Sequence, residues 1–319
     1  MEQIAPLLQK ILLFFLSVIS LLNTATDSPI RAVNPADPVT EPAVVWADAY
    51  EEGAFPLIDV TEKPAGAIRV MSFNLRNQDV AGVPRKDRTA IVIRKIQEIA
   101  PDVFGVQEAT ANGWMKALKR DLPEYAYAGS GKLGGDEGSH NAVFYKKDRF
   151  ELLDTGTYWL SETPSESSFG WDAAAIRIFT YAVLRDKTTG KTFVHVNSHF
   201  DHIGVAARRN EATQVSNYIR EHFADLPVIF TADMNAREDS EPYAIMTALL
   251  HNAKYTARDS VFYATFHGAD PKNHQQSYID HILHNDKVSV AVFRVVTTGI
   301  DGRYVSDHFP LYADIYLDA

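Results

Sequence analysis

Short apolar runs recur from about residue 67 to residue 317, and their periods predict the elements. AIRVMSF (67–73) reads as a strand, and RTAIVIRKIQEIA then changes period, with Val92, Ile96 and Ile99 on one helical face, Asp87 placed as its cap and Pro101 as its stop. DVFGVQ (102–107) is a short buried strand, and GWMKALKRDL (113–122) is helical, with Trp114 and Leu118 four apart. Residues 141–147 and 150–160 read as strands, and 177–199 as a hairpin turning at Thr189-Gly190. A helix from about Ala206 to Phe223 turns Ala212, Val215 and Ile219 inward, and the strand PVIFTAD follows. Asp239 or Ser240 caps a further helix with Pro242 in its first turn, and SYIDHILH, VAVFRVVTT and FPLYADIYL are the last strands. Hairpins with scattered helices predict an α/β protein of the α+β type, two packed mixed sheets with helices outside, rather than a doubly wound parallel sheet.

The runs share a second feature. VMSF stops at Asn74, VFGVQ at Glu108, FVHVNS at His199 with Asp201 and His202 beyond it, and VIFTA at Asp233 and Asn235. SYI meets Asp280, and Asp307 and His308 stand just before the final run. Each residue alone reads as a turn residue or a structural histidine. Their recurrence at run ends predicts one polar cluster on a sheet rim, where carboxylate and amide oxygens suit a hard cation and imidazoles suit phosphate oxygens.

Composition narrows the setting. The 319 residues carry a net charge of −10 and no long Lys/Arg run, so no strong nucleic-acid patch is expected. The absence of cysteine excludes disulfides, thiolate catalysis and cysteine-based zinc sites. Lys10, the apolar run from Ile11 to Leu22 and the small polar residues after it have the layout of a signal peptide over residues 1–25, cut near Ala25. The run is short for a membrane span, so an exported protein, periplasmic or extracellular, with no span after signal removal is expected. A proline-rich linker or arm occupies 26–66, and the domain 67–319.

In order, SFNLR, GVQEA, VNSHFDH, TADMN, YIDHI and SDHFP resemble the endonuclease/exonuclease/phosphatase superfamily, over about residues 67 to 317. GTYWLSETP and GWDAA resemble exported bacterial members of unassigned substrate. The resemblance implies a four-layer αββα sandwich of two mixed, largely antiparallel sheets with outer helices. It implies a magnesium-dependent hydrolase, with manganese as a substitute, attacking a phosphoester or phosphodiester in line with water. By that resemblance Glu108 is the main metal ligand, Asn74 stands beside it, and Asp307 completes the shell. Asp233 orients or deprotonates the water, and Asn235 holds the phosphate or the water. His308 stabilises the transition state with Asp280 behind it, and His199 donates to a phosphate oxygen. Ala232 and Met234 replace the glycine and aromatic usual around the Asp-x-Asn motif.

The substrate side is read from loops. Arg177 and Trp171 in SSFGWDAAAIRI are candidate contacts to phosphate and to a sugar or base, and Asp201 and His202 are candidate substrate contacts. GSGKLGGDEGSH (129–140), with five glycines, is expected to be a mobile loop from which Lys132 or His140 reaches substrate. A monomer acting on a small phosphorylated substrate is the main expectation. The alternatives are an exported nuclease, a sphingomyelinase-like lipid phosphodiesterase using an apolar hairpin at 259–268, and a binding protein that has lost activity.

Overall fold

A computed structural model describes residues 43–45, 56–80, 83–268, 277–301 and 303–318; the expected signal peptide and most of the arm lie outside them. Two mixed sheets form the domain. The larger runs Ala43–Val45 (β1), Asp259–Val261 (β13), Val288–Val295 (β15), Leu311–Leu317 (β16), Ile68–Asn74 (β2), Val103–Gln107 (β3), Val143–Lys146 (β7) and Tyr125–Ala128 (β5). The smaller runs His251–Asn252 (β12), Asp280–His284 (β14), Val228–Asp233 (β11), Thr192–His199 (β10), Ile178–Asp186 (β9) and Phe150–Trp159 (β8). A short pair, Ala109–Thr110 (β4) with Ser139–His140 (β6), adjoins them.

The layers follow from which face each strand buries. Val70, Val103 and Ile315 of the larger sheet meet Leu184, Phe193 and Ile229 of the smaller in the central core. Met71 and Phe104 turn outward onto helix Arg85–Ile99 (α1) and onto Trp114 and Leu118. Val196 and Phe230 turn outward onto helix Val205–His222 (α2) and Met246. The four-layer αββα arrangement is therefore the one expected.

Local details differ from the sequence reading. Asp87 lies in the first turn of α1 rather than at its cap; Pro84 takes that place, and the Arg85 N–H finds Asp79 Oδ1 at 3.0 Å. The helix around Trp114 opens as a π-turn, Ala111–Met115, before continuing as α-helix. Part of the proline-rich arm is built into the domain: Ile58 is buried, and its N–H donates to Thr297 Oγ1 at 2.7 Å.

Beneath the rim, polar side chains fix one sheet against the other. Asn197 of β10 donates to the carbonyls of Val106 and Ala142, and Gln107 of β3 donates to Asn197 Oδ1 at 2.8 Å. Gly105 is required here, because a Cβ would lie 2.4 Å from both Asn197 Oδ1 and Thr231 Oγ1. These buried, satisfied bonds set the register of the two rims more tightly than apolar contact does.

Candidate active site

Strand registry explains why the run ends converge. In β10, β11 and β14, His199 is the cross-strand partner of Asp233, and Asp233 is the partner of Asp280. Asp280 begins its strand rather than ending one. Because β14 runs antiparallel to β11, that beginning lies on the same rim. The same logic brings Asp307 and His308, just ahead of β16, to the end of antiparallel β2 where Asn74 stands.

Asn74 links the two sheets: its Nδ2 donates to Asp233 Oδ2 at 2.8 Å and lies 3.4 Å from Glu108 Oε1. Glu108 also accepts from the Asn77 N–H at 2.9 Å. Its φ of 57° is a left-handed conformation that glutamate rarely adopts, and such strain clusters at functional positions. Asp307 faces the Arg76 Nε at 3.4 Å. Asp233 Oδ1 accepts from the Asn235 N–H at 3.0 Å, so the TADMN segment is both a turn and part of the site. Ala232 and Met234 are fully buried in the core beneath it.

His308 lies between two acids. Its Nδ1 donates to Asp280 at 2.8 Å, and its Nε2 stands 3.7 Å from Asp233 Oδ2. Burial disfavours its charge, but Asp280 and Asp233 outweigh burial and hold it up at about 10. Burial and the Asp280 charge push Asp233 up to about 7. His199 is driven well below its usual range by burial and by the Arg177 and His308 charges. Asn235 Nδ2 donates to its Nε2 at 3.1 Å, which suits a neutral ring.

Oxygen-rich groups at this rim fit a hard divalent cation. Asp233, Asp280 and His308 offer ligand atoms within 4.8 Å of one another. In that trio the imidazole bonds one acid and faces the other, as in a proton relay. Glu108, Asn74 and Asp307 also carry oxygens at this rim, apart from that relay.

A cleft of about 460 Å³ opens over these groups. Arg76, Glu108, Lys132, Arg177, His199, His202, Asp233, Asn235, Phe266 and His308 line it. Three substrate-side expectations change. Trp171 does not line the cleft; it is half-buried, and its N–H lies 3.2 Å from Glu162. Asp201 is fully buried behind Arg177. His140 is buried in the β4–β6 pair and faces a separate groove with Lys116 and Lys119. The glycine-rich segment is tied down rather than loose: the Trp159 Nε1–H donates to the Lys132 carbonyl at 2.7 Å, and the Lys132 N–H to the Ser139 carbonyl at 3.0 Å. The stretch 259–268 offers no exposed apolar hairpin, since Phe262 is buried and Phe266 packs 4.9 Å from the His308 ring. Sequence reasoning missed Arg76, Phe266 and the Asn77 N–H; for Arg76 the signal was its place in the SFNLR run.

The profile of the endonuclease/exonuclease/phosphatase family matches residues 71–308, over the same rim groups. The chain belongs to this family. A solved endonuclease/exonuclease/phosphatase protein from Bacteroides vulgatus is 33% identical, with a TM-score of 0.74 over 79% of this chain and 99% of that one. A mannosyl-6-phosphatase from Bacteroides thetaiotaomicron VPI-5482 is 32% identical, with a TM-score of 0.73 over 78% of this chain and 100% of that one. The human nocturnin catalytic domain, at 17% identity and a TM-score of 0.62 over 82% and 96%, shares the fold. A comparison with curated proteins gives no match. As a family member the chain is a phosphoric ester hydrolase. No helix among the described residues is long and apolar enough to cross a membrane.

Proposed function

We propose that this protein is an exported, magnesium-dependent phosphomonoesterase acting on a small polyol phosphate such as a sugar phosphate. One observation carries the reading: in a chain of net charge −10, Arg76, Lys132 and Arg177 converge on one confined cleft. Local cation density against the net charge selects a compact, highly charged anion, and a cleft of this size takes a small molecule rather than a polymer. The mannosyl-6-phosphatase relative supports the same class.

Glu108, Asn74 and Asp307 would hold the cation, which when bound supplies charge stabilisation to the phosphoryl oxygens. The chain's own groups do the rest. Asp233, raised to about 7, is poised near neutrality to orient a water and take its proton. The water oxygen forms the new bond to phosphorus as the bond to the alcohol oxygen breaks. Phosphate remains, and the alcohol leaves after taking a proton from solvent. His308, kept protonated by Asp280, offers its Nε2–H to oxygens gaining charge. Asn235 Nδ2 bonds the Phe200 carbonyl and His199 Nε2 in the free cleft, so it would exchange the second bond for one to phosphate. His199 is neutral in the free cleft. Burial is the main cause of that depression, and a bound anion would offset only the further contribution of Arg177, His308 and the other nearby cations.

The test is hydrolysis by wild type and Glu108→Ala of a hexose 6-phosphate, a phosphodiester, single- and double-stranded DNA, RNA and sphingomyelin. Magnesium-dependent turnover of the sugar phosphate, lost in the variant, is the expected result. Preference for a polymer or lipid would refute the assignment. Export is checked by sequencing the mature N-terminus, expected just after Ala25.

A further inference from the structure

We propose that Asp201 is a positioning residue: it sets Arg177 and His202 as a second anion-binding edge of the cleft, which reads the third non-bridging oxygen of a phosphomonoester and so excludes diesters. This deepens the phosphomonoesterase reading and rests on it.

Asp201 does not touch the cleft. Its Oδ1 accepts from the N–H groups of Ile203 at 2.9 Å and Gly204 at 2.7 Å. Its Oδ2 accepts from the Ala175 N–H at 3.1 Å and the Arg177 Nε at 3.3 Å. One buried carboxylate thus ties the turn after β10 to the segment leading into β9. Burial opposes its charge, but the N–H groups of Gly204, Ile203 and Ala174, together with Arg177, hold it down at about 2. It is therefore a permanent anion at neutral pH.

A second tie fixes the same two segments. Asp172 accepts from the Ala207 N–H at 2.6 Å and so caps α2 from a distance. Gly204 permits that approach, since a Cβ there would meet the Asp172 carbonyl oxygen and Oδ1 at 2.7 Å each.

The consequence is a directed guanidinium. Arg177 uses Nε on Asp201 and Nη2 on His202 Nδ1 at 3.0 Å. Its Nη1 makes no hydrogen bond among the described residues, and Arg177 is a residue of the cleft lining. Because His202 Nδ1 accepts, its proton sits on Nε2, a second donor in the lining. Arg177 also stands close enough to His199 for its charge to depress that imidazole.

A phosphomonoester dianion has three non-bridging oxygens. Two satisfy the donors around Asn235 and His308 and the cation, and the third remains for Arg177. A diester has only two such oxygens and places a neutral ester arm against the guanidinium, leaving that cleft donor without an acceptor.

The test measures kcat/KM for p-nitrophenyl phosphate and bis(p-nitrophenyl) phosphate with magnesium, for full-length wild type, Arg177→Lys, Arg177→Met and Asp201→Asn. Arg177→Met is expected to lose about 10²–10³-fold on the monoester. It should lose less than about 10-fold on the diester, where that donor has no partner. Arg177→Lys, which keeps the charge without the fork, falls between. Asp201→Asn is expected to lower the monoester/diester ratio as Arg177→Met does, although Arg177 itself is intact. Parallel losses on both substrates in the Arg177 variants, or a wild-type ratio in folded Asp201→Asn, overturn the proposal. The Arg177 pair decides alone if Asp201→Asn does not fold. Wild type inactive on every monoester refutes the phosphomonoesterase reading instead, and this proposal with it.

Discussion

The Nδ1 of His308 lies 2.8 Å from Asp280 Oδ2, and both side chains are almost wholly buried. The other oxygen of Asp280 has no hydrogen-bond partner among the described residues, so its interaction is concentrated on this imidazole. Asp280→Asn keeps the shape and removes the charge that keeps His308 protonated. We expect kcat to fall about 10²–10⁴-fold with little change in KM, as for other carboxylates that hold a catalytic histidine in its working state. A variant with near-normal kcat would remove the pair from the mechanism.

Glu108 turns both oxygens to site groups, Oε1 toward Asn74 and Oε2 to the Asn77 N–H. Glu108→Gln should weaken magnesium binding by about 10²-fold, since it removes the charge of the main candidate ligand. Titration calorimetry reads that affinity without any substrate. An isotherm matching wild type would shift the metal to the Asp233, Asp280 and His308 trio.

The catalytic rim was legible because strand alternation and registry are simple. Runs that end or begin on one edge of paired strands must meet, as His199, Asp233 and Asp280 do in adjacent positions. What stayed illegible depends on loops. Asp201, Trp171 and His140 are polar or aromatic residues near the rim in sequence, yet none lines the cleft, because turns that no periodicity encodes direct them elsewhere. Remote partners were equally hidden. Asp172 caps a helix 33 residues later, and Arg88, one turn before Val92, is buried on the apolar face of its helix. The glycines at 129–140 suggested mobility, but main-chain bonds to Trp159 and Ser139 depend on contacts formed only in the fold.

Arg88 is a buried cation with no carboxylate in contact among the described residues. It donates to the carbonyls of Leu75, Arg76, Gln78 and Val305 and lies over the Trp114 ring. Burial accordingly pulls it down to about 10. Those carbonyls belong to two loops, the one that follows Asn74 and carries Asn77 and the one that carries Asp307. Arg88→Met would strand four acceptors and should cost about 3 kcal/mol, with activity falling through loosened metal ligands. Urea unfolding reads the first effect and magnesium titration the second. An unchanged midpoint would show that water replaces the guanidinium at no cost.

Glu211 is fully buried beneath the Asp201 turn; its Oε2 accepts from the Asp201 N–H at 2.8 Å, and its Oε1 has no partner among the described residues. Burial pushes it up to about 8, against the pull of that hydrogen bond and of Arg177. The native state therefore binds this proton more tightly than the unfolded chain does. Its contribution to stability is complete below the ordinary glutamate range near 4.5 and is lost as pH rises through about 8. Glu211→Gln keeps the shape and cannot ionise. The stability of wild type relative to the variant should thus fall by a few kcal/mol between about pH 5 and pH 9. Other groups titrate alike in both proteins, so the difference isolates this residue. Parallel melting profiles across that range would mean that the carboxyl ionises freely, against the burial that dominates its environment.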